Sequence, residues 1–155
     1  MVKIVTGKIN SYKSTRLLEL YNKDHLGDGF IAKKIMKNDL VMGYDLVQLS
    51  NKKEIPFIRR DIYDKGIEDV IYQLGPYHFF KSAFEYVEKE VEDFSKRGVS
   101  PIYLDEISLL ELEENGFHKV LVKLLKKEID LCLVVRVDLL DRVLEKYQIK
   151  DKVII

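Results

Sequence analysis

The chain has 155 residues, of which 46% are hydrophobic, and its 26 basic residues balance 26 acidic ones. This length supports one complete hydrophobic core and is too short for two ordinary domains, so we expect a single domain over residues 1–155. The balanced charge excludes a global field that would recruit nucleic acid or an anionic membrane, and any anion site must therefore be local.

Composition also bears on the compartment. Cys132 is the only cysteine, which excludes an internal disulfide or a cysteine-based metal cluster and agrees with a reducing cytoplasm. No apolar stretch approaches the roughly 20 residues of a membrane-spanning helix, and the N-terminal apolar run is too short for a signal peptide. We expect a cytoplasmic protein. Charged residues make up 34% of the chain, a bias that favours a thermophilic source.

The first predicted element is a buried strand that leads into a loop. The apolar run VKIVT at 2–6 is typical of a parallel strand that is covered on both faces. Leu17, Leu18 and Tyr21 then form an apolar stripe, which predicts a helix over 14–21 that packs back onto this strand. Strand, loop and helix in this order are the context that a phosphate-binding loop requires.

The loop itself, TGKINSYKST at 6–15, departs from the phosphate-binding motif at one position. The motif G-x-x-x-x-G-K-[ST] is met by Gly7, Lys13 and Ser14, but Tyr12 stands where the second glycine belongs. Glycine at that point allows positive φ and a close approach of backbone amides to phosphate oxygens. We therefore predict a phosphate-binding loop that Tyr12 impairs. Its predicted members are Gly7, Lys8, Ile9, Asn10, Ser11, Tyr12, Lys13, Ser14 and Thr15.

Three short strands are predicted after this first unit. They are FIAKKIM at 30–36, YDLVQL at 44–49 and PFIRRD at 56–61, and turn-like residues separate them. Short strands joined by tight turns favour antiparallel pairing. We expect them to form an antiparallel insertion in the first half of the chain.

Helices and strands alternate through the second half. Apolar residues at helical spacing predict helices over 81–98 and 113–128. The buried-type strands PIYLD at 101–105 and LCLVV at 131–135 each follow one of these helices, and Asp138 is placed to cap a last helix. This alternation predicts a three-layer α/β/α fold whose sheet is mostly parallel, with the antiparallel insertion beside it.

The strand PIYLD ends in two acids, Asp105 and Glu106. In open α/β folds ligands bind at the carboxyl ends of the strands, so we expect these acids to lie beside the loop. The aspartate would accept a hydrogen bond from a magnesium-bound water, and the glutamate would orient or deprotonate the attacking water. The order of the loop and the acidic pair in the chain, and their positions after buried strands, together predict a P-loop nucleotide fold. Its predicted cofactor is Mg²⁺, held by Ser14 and Asp105.

Two cations are candidates for contact with phosphates. Lys13 is expected to bridge the β and γ phosphates, which makes it a predicted catalytic residue together with Glu106. Arg136 follows LCLVV at the carboxyl end of a strand, the edge where a nucleotide should lie, and it is a candidate for stabilising developing charge. A salt bridge from Arg136 to Asp138 or Asp141 is the competing interpretation.

The sequence resembles a known family over nearly its whole length. The blocks that carry the resemblance are TGKINSYKST, GFIAKKIMKNDLVMGYDLVQL, LGPYHFFKSAFE and IYLDEISLLEL, in the family's order. The family comprises small thermophilic nucleoside-triphosphatases related to the human cancer-related nucleoside-triphosphatase. The resemblance implies a P-loop fold of the RecA-like type and magnesium-dependent hydrolysis of ATP, GTP and other nucleoside triphosphates to diphosphate and phosphate.

The chain departs from this family at several positions. Members usually carry two further glycines in the loop, threonine, glutamate and arginine in the insertion, and a lysine soon after the acidic pair. The residues found here instead are Asn10, Tyr12, Ala32, Lys34, Met36, Val41 and Leu109. Charged groups that could contact phosphates are therefore expected to be missing from the insertion.

Three functions stay open on the sequence alone. The first is a nucleoside-triphosphate hydrolase whose activity Tyr12 weakens. The second is a nucleotide-binding or scaffolding relative that kept the fold without catalysis. The third is a small-molecule kinase, because the same fold transfers phosphoryl groups to acceptors other than water, and the lack of a lid-like, arginine-rich segment ranks it last. The predicted partner is a nucleoside triphosphate, and the sequence does not indicate an oligomeric state.

Overall fold

The computed structural model describes residues 1–61 and 67–155. The strands are β1 (Val2–Gly7), β2 (Asp28–Lys37), β3 (Leu40–Gln48), β4 (Glu54–Arg60), β5 (Val70–Leu74), β6 (Tyr77–Phe80), β7 (Ile102–Ile107), β8 (Leu131–Arg136) and β9 (Lys152–Ile154). The helices are α1 (Lys13–Asp24), α2 (Lys81–Arg97), α3 (Leu109–Leu112), α4 (His118–Lys126) and α5 (Leu140–Lys146). Among the described residues, no helix combines the length and the hydropathy that crossing a membrane would need.

The strands in these ranges form one sheet in the order β5-β6-β4-β3-β2-β7-β8-β1-β9. From β2 to β9 all neighbours are parallel, whereas from β2 to β5 all neighbours are antiparallel. The predicted antiparallel insertion is confirmed, and it extends through β5 and β6, which the sequence did not predict. The signal that could have found them is the run VIYQLGPYHFF at 70–80, in which two stretches rich in β-branched and aromatic residues flank a Gly-Pro turn.

Helices cover both faces of the sheet. Leu17 and Tyr21 of α1 pack on one face, against residues that include Val134 of β8. Apolar residues of α2, α4 and α5 pack on the other face, against residues that include Leu133 of the same strand. Because successive strand residues point to opposite faces, the apolar run at 131–135 supplies both layers. This is the predicted three-layer α/β/α arrangement.

The ends of the helices were predicted with mixed success. Gly98 ends α2 in a left-handed conformation at φ 69°, as its position in the sequence indicates. The prediction that Asp138 caps the last helix is wrong. Asp138 lies in a 3₁₀ turn without a side-chain cap, and its carboxylate accepts hydrogen bonds from the Arg136 guanidinium at 2.5 and 3.0 Å. Both carboxylate oxygens of Asp138 are thus engaged by the guanidinium rather than by backbone N–H groups of a helix.

A short helix after β7 was not predicted. Ser108 and Glu111 form a capping box at the start of α3. Glu111 is 2% exposed, and its carboxylate accepts the backbone N–H of Ser108 at 2.8 Å and that of Phe117 at 2.9 Å. Burial raises the pKa of this carboxyl to about 7, although both N–H groups oppose the rise. The pattern Ser-x-x-Glu was the signal that could have found this helix.

Candidate nucleotide-binding site

The loop between β1 and α1 is a tight turn with two left-handed residues. Asn10 has φ 59° and Tyr12 has φ 61°. The Ser11 hydroxyl donates a hydrogen bond to the Lys8 carbonyl at 2.6 Å, which ties the turn together. A Cβ at Gly7 would meet the Ser11 hydroxyl, which would then have to rotate away from the Lys8 carbonyl. The loop is therefore compact, and it leads directly into the N-terminus of α1.

Tyr12 adopts the conformation that a glycine would adopt at this point. Its φ of 61° and ψ of 34° are left-handed, and it immediately precedes α1. For a residue with a large side chain this conformation costs about 1–3 kcal/mol. The ring is 79% exposed, so it is not packed in the core. Tyrosine thus holds the positive φ for which the motif uses glycine, while its ring borders the cleft.

Lys13 places a buried cation at the loop. It is the first residue of α1 and is only 8% exposed. Its Nζ donates a hydrogen bond to the Lys8 carbonyl at 2.6 Å, so the side chain reaches back across the loop. The positive charge lowers the pKa of the nearby Asp105 and Glu106 carboxyls, against the larger effect of burial. The ammonium is thus close to both acids.

Asp105 joins the loop to the strand β7. Its Oδ2 accepts hydrogen bonds from the Ser14 hydroxyl at 2.6 Å and from the Ala32 backbone N–H at 2.9 Å. Burial raises the pKa of the Asp105 carboxyl to about 6, and these two hydrogen bonds oppose the rise. Its Oδ1 is buried without a hydrogen-bond partner among the described residues. A buried acceptor that lacks a partner is unusual, and it fits a site for a cation or an ordered water.

Glu106 lies at an irregular point of β7. Its φ is 61°, and the pairing of β7 with β8 shifts register between Leu104 and Ile107. Bulges of this kind re-aim side chains beside active sites. Asp105 is buried, whereas the next residue, Glu106, is exposed and borders the cleft. Partial desolvation raises the pKa of the Glu106 carboxyl, while the charges of Lys13 and Arg136 lower it.

Arg136 lies at the carboxyl end of β8, which runs between β1 and β7. It is the register partner of Gly7, so the strand order brings it to the start of the loop. Its guanidinium forms the bidentate pair with Asp138 described above. The competing interpretation of an ion pair therefore holds in this structure, although the charge of Arg136 still acts on Glu106.

These elements surround a cleft of about 370 Å³. The loop, β2, β3 and the end of β7 form its walls. The lining residues are Asn10, Ser11, Tyr12, Lys13, Ser14, Thr15, Leu18, Ile31, Ala32, Lys33, Lys34, Tyr44 and Glu106. The predicted members Gly7, Lys8 and Ile9 belong to the loop but do not border this cleft.

Sequence reasoning missed the contribution of β2. Ala32 offers a backbone N–H, which no side-chain motif can reveal. Lys34 was not singled out as a candidate by the sequence, but its side chain borders the cleft, and its Nζ lies 3.4 Å from Asn10 Oδ1. No sequence signal places Lys34 at the cleft, because the side of the strand that it shares with Ala32 faces the site only after β2 has paired with β7.

Comparisons with known proteins identify the family. The sequence profile of the family described as NTPase matches residues 3–155. The chain belongs to the NTPase family. This membership supports nucleotide binding and hydrolysis in general terms, with the divalent metal use that is typical of such proteins. No curated protein matches the sequence significantly.

Two solved structures resemble this NTPase. The crystal structure of THEP1 from the hyperthermophile Aquifex aeolicus matches with a TM-score of 0.73 at 16% identity, over 100% of this chain and 88% of that chain. The solution structure of a human cancer-related nucleoside triphosphatase matches with a TM-score of 0.63 at 16% identity, over 97% and 85% of the respective chains. At this identity the likeness concerns the fold. The family resemblance and the P-loop NTPase fold are confirmed.

Proposed function

We propose that this NTPase binds a nucleoside triphosphate together with Mg²⁺ and hydrolyses it slowly to diphosphate and phosphate. The observation that carries the proposal is the 2.6 Å hydrogen bond from the Ser14 hydroxyl to Asp105 Oδ2. This contact unites two motifs that are 91 residues apart in the sequence. Their meeting beside a cleft is the arrangement that phosphoryl transfer requires.

The loop residues would hold the phosphate groups. Backbone N–H groups between Lys8 and Ser14 would donate to phosphate oxygens at the N-terminus of α1, where the helix dipole also favours negative charge. The Lys13 ammonium would exchange part of its contact with the Lys8 carbonyl for the β and γ phosphates. Because this cation is already positioned and largely desolvated, binding costs little further ordering of its side chain.

The oxygen atoms of Ser14 and Asp105 fit Mg²⁺. Magnesium prefers oxygen ligands and is commonly held by one or two carboxylates together with substrate phosphates. In the described parts of the chain, no group of three or more His, Cys, Asp or Glu side chains could hold a metal unaided, so phosphate oxygens and water would complete the coordination. When bound, the metal neutralises phosphate charge and orients the γ phosphate.

Glu106 would act on the attacking water. Its carboxylate would orient this water and accept one of its protons while the water oxygen bonds to the γ phosphorus. The bond between the γ phosphorus and the bridging oxygen breaks, and the diphosphate leaves with that electron pair. The strained φ of Glu106 supports the role, because such strain clusters at active sites. Arg136 could stabilise developing charge by exchanging its contact with Asp138.

A second function is favoured by one observation. Tyr12 holds a costly left-handed conformation in the loop, and an impaired loop would suit a nucleotide-binding or scaffolding relative without turnover. In the described residues nothing favours the small-molecule kinase. The single domain, the cytoplasmic location and the thermophilic source stay predictions of the sequence.

Phosphate release is the direct test of the proposed hydrolysis. The purified protein is incubated with ATP, GTP, CTP and UTP, with and without Mg²⁺, beside the Glu106→Gln variant as a matched control. We expect release that requires Mg²⁺, varies little with the base and falls in the variant. Nucleotide binding without release in a folded protein would support the non-catalytic relative instead.

A further inference from the structure

Two ammonium groups meet the phosphate loop, and the described mechanism uses only one. Lys13 reaches the loop from α1 and donates to the Lys8 carbonyl at 2.6 Å. Lys34 reaches the loop from β2, and its Nζ lies 3.4 Å from Asn10 Oδ1. Both lysines border the cleft that contains Glu106. A second cation therefore stands where the phosphate chain of a bound nucleotide would lie.

The backbone at Lys34 is held in place by β2, whereas its ammonium makes only a weak contact. The backbone of β2 is held at the site by the hydrogen bond from Ala32 N–H to Asp105 Oδ2 at 2.9 Å. Lys34 follows on the same side of the strand and pairs in register with Tyr44, which also borders the cleft. Its contact with Asn10 is longer than an ordinary N–H···O bond and involves a neutral oxygen. The ammonium can leave this contact at little cost.

Neighbouring cations are engaged by carboxylates. Lys33 forms an ion pair with Glu54 at 2.8 Å, and Arg136 forms its pair with Asp138. Lys34 forms no ion pair within the ranges that the structure describes, and its side chain is exposed at the cleft. Of the cations carried by β2 near the loop, Lys34 is the one whose charge a ligand could neutralise.

We propose that Lys34 is a second phosphate-binding cation that makes the site select nucleoside triphosphates over diphosphates. This rests on the proposed function. Lys34 lies on the wall that also carries Ala32 and borders the same cleft as Glu106, so its ammonium would meet the terminal phosphate on which Glu106 acts. An ammonium with several donors binds a phosphate oxygen as a point charge, and this contact strengthens as the ligand gains charge.

Calorimetry separates the contributions of the phosphates. The probes are the non-hydrolysable β,γ-imido analogue of ATP, ADP and AMP, at one magnesium concentration. We expect Lys34→Met to weaken the triphosphate analogue by about 10-fold or more and ADP distinctly less, because one charge-assisted hydrogen bond to the terminal phosphate is lost. AMP affinity should stay unchanged, and Lys34→Arg should restore most of the preference for triphosphate.

Lys37→Met is the matched control. Lys37 is exposed on the same strand, lies outside the cleft and carries the same charge. It should alter each affinity by less than about twofold, since an exposed distant charge is largely screened. Equal melting temperatures for both variants and the parent protein check the fold.

Three results would overturn the proposal. Unchanged triphosphate affinity in Lys34→Met removes Lys34 from the site but leaves the proposed function standing. Equal weakening of the triphosphate, ADP and AMP, reproduced by Asn10→Ala, shows that Lys34 acts by shaping the loop rather than by binding the terminal phosphate. Failure of the folded parent protein to bind any of the probes overturns the proposed function and this role together.

Discussion

Two clefts of this NTPase differ in size and in the residues that surround them. The groove between α2 and α4 measures about 630 Å³, whereas the cleft at the phosphate loop measures about 370 Å³. The larger groove has exposed charges such as Glu88 and Lys123 on its flanks and apolar residues such as Leu124 on its floor. Water solvates those charges, so they cost the folded protein almost nothing.

The smaller cleft contains groups that reduce the stability of the folded protein. Lys13 is 8% exposed and Asp105 is 3% exposed, although each can carry a charge. Tyr12 and Glu106 both hold left-handed backbone conformations without being glycine. Buried charge and backbone strain reduce stability and persist where the surrounding structure enforces them, which is common at active sites. The comparison teaches that energetic cost, rather than volume, marks the candidate site.

The largest expected effect concerns Glu106. Glu106→Gln keeps the side-chain shape and should lower the hydrolysis rate by about 100-fold or more, because general-base assistance is lost. Nucleotide affinity should change little. Phosphate release measures the rate, and calorimetry measures the affinity. A variant that hydrolyses at the parent rate would show that the strained residue has no catalytic role.

Lys13 should dominate binding of the phosphates. Lys13→Ala should weaken triphosphate binding by about 10- to 100-fold, since a charge-assisted contact is removed, while binding of the free nucleoside should not change. Titration calorimetry with the non-hydrolysable triphosphate and with adenosine tests the difference. Equal triphosphate affinity before and after the substitution would refute the phosphate site at this loop.

Tyr12 tests whether backbone strain impairs the loop. Tyr12→Gly should tighten triphosphate binding about fivefold or more, if the empty loop escapes strain by adopting another shape that binding must reverse. Asn10→Gly is the matched control and should gain less, because asparagine tolerates left-handed backbone better. Weaker binding by Tyr12→Gly would show instead that the tyrosine is an adapted part of the site, such as a surface that stacks on the base.

Glu111 refines the comparison, because it is a buried acid outside both clefts. Its pKa in the folded state is about 7 against an ordinary 4.5, so the folded protein holds a proton that the unfolded chain releases. Its contribution to stability is full below about pH 4.5 and is lost as the pH rises through 7. The loss is at most about 1.4 kcal/mol per pH unit.

Glu111→Gln should flatten this part of the pH dependence. Urea unfolding at several pH values between 5 and 8 measures the free energy of unfolding in both proteins. Asp105, whose pKa is also raised by burial, should leave a smaller slope in the variant. An unaltered slope would mean that Glu111 ionises normally in the folded protein. If Glu111→Gln loses the pH dependence of the free energy of unfolding but hydrolyses at the normal rate, Glu111 supports the capping box of α3 and has no role in the reaction.

The smallest effect is expected in the larger groove. Lys123→Ala removes an exposed cation there and should change the hydrolysis rate and the triphosphate affinity by less than about twofold, because solvated surface charges contribute little. Phosphate release under the conditions used for Glu106→Gln makes the two clefts directly comparable. A large loss of hydrolysis would contradict the conclusion that energetic cost, rather than cleft volume, marks the candidate site.

Much of this molecule could be predicted from local pattern. The spacing of apolar residues located β1, α1, α2, β7, α4 and β8, because each buries a continuous run or a stripe. The residues Lys13, Ser14, Asp105 and Glu106 were found by their motifs and lie together in the structure. Their catalytic and binding roles stay predictions. The motifs reveal the site because phosphate chemistry restricts which residues can follow a strand at these points.

Only the tertiary structure decided the rest. The sequence determined that one strand leads into the loop and that another carries the acidic pair, although β7 continues past this pair to Ile107. Strand order depends on pairing between distant segments, so the sequence did not show β8 between β1 and β7. Nor could it show that Ala32 N–H reaches Asp105, or that Lys34 reaches Asn10. Backbone donors look alike in any sequence, and a lysine reveals its role only when the fold has brought a strand beside the loop.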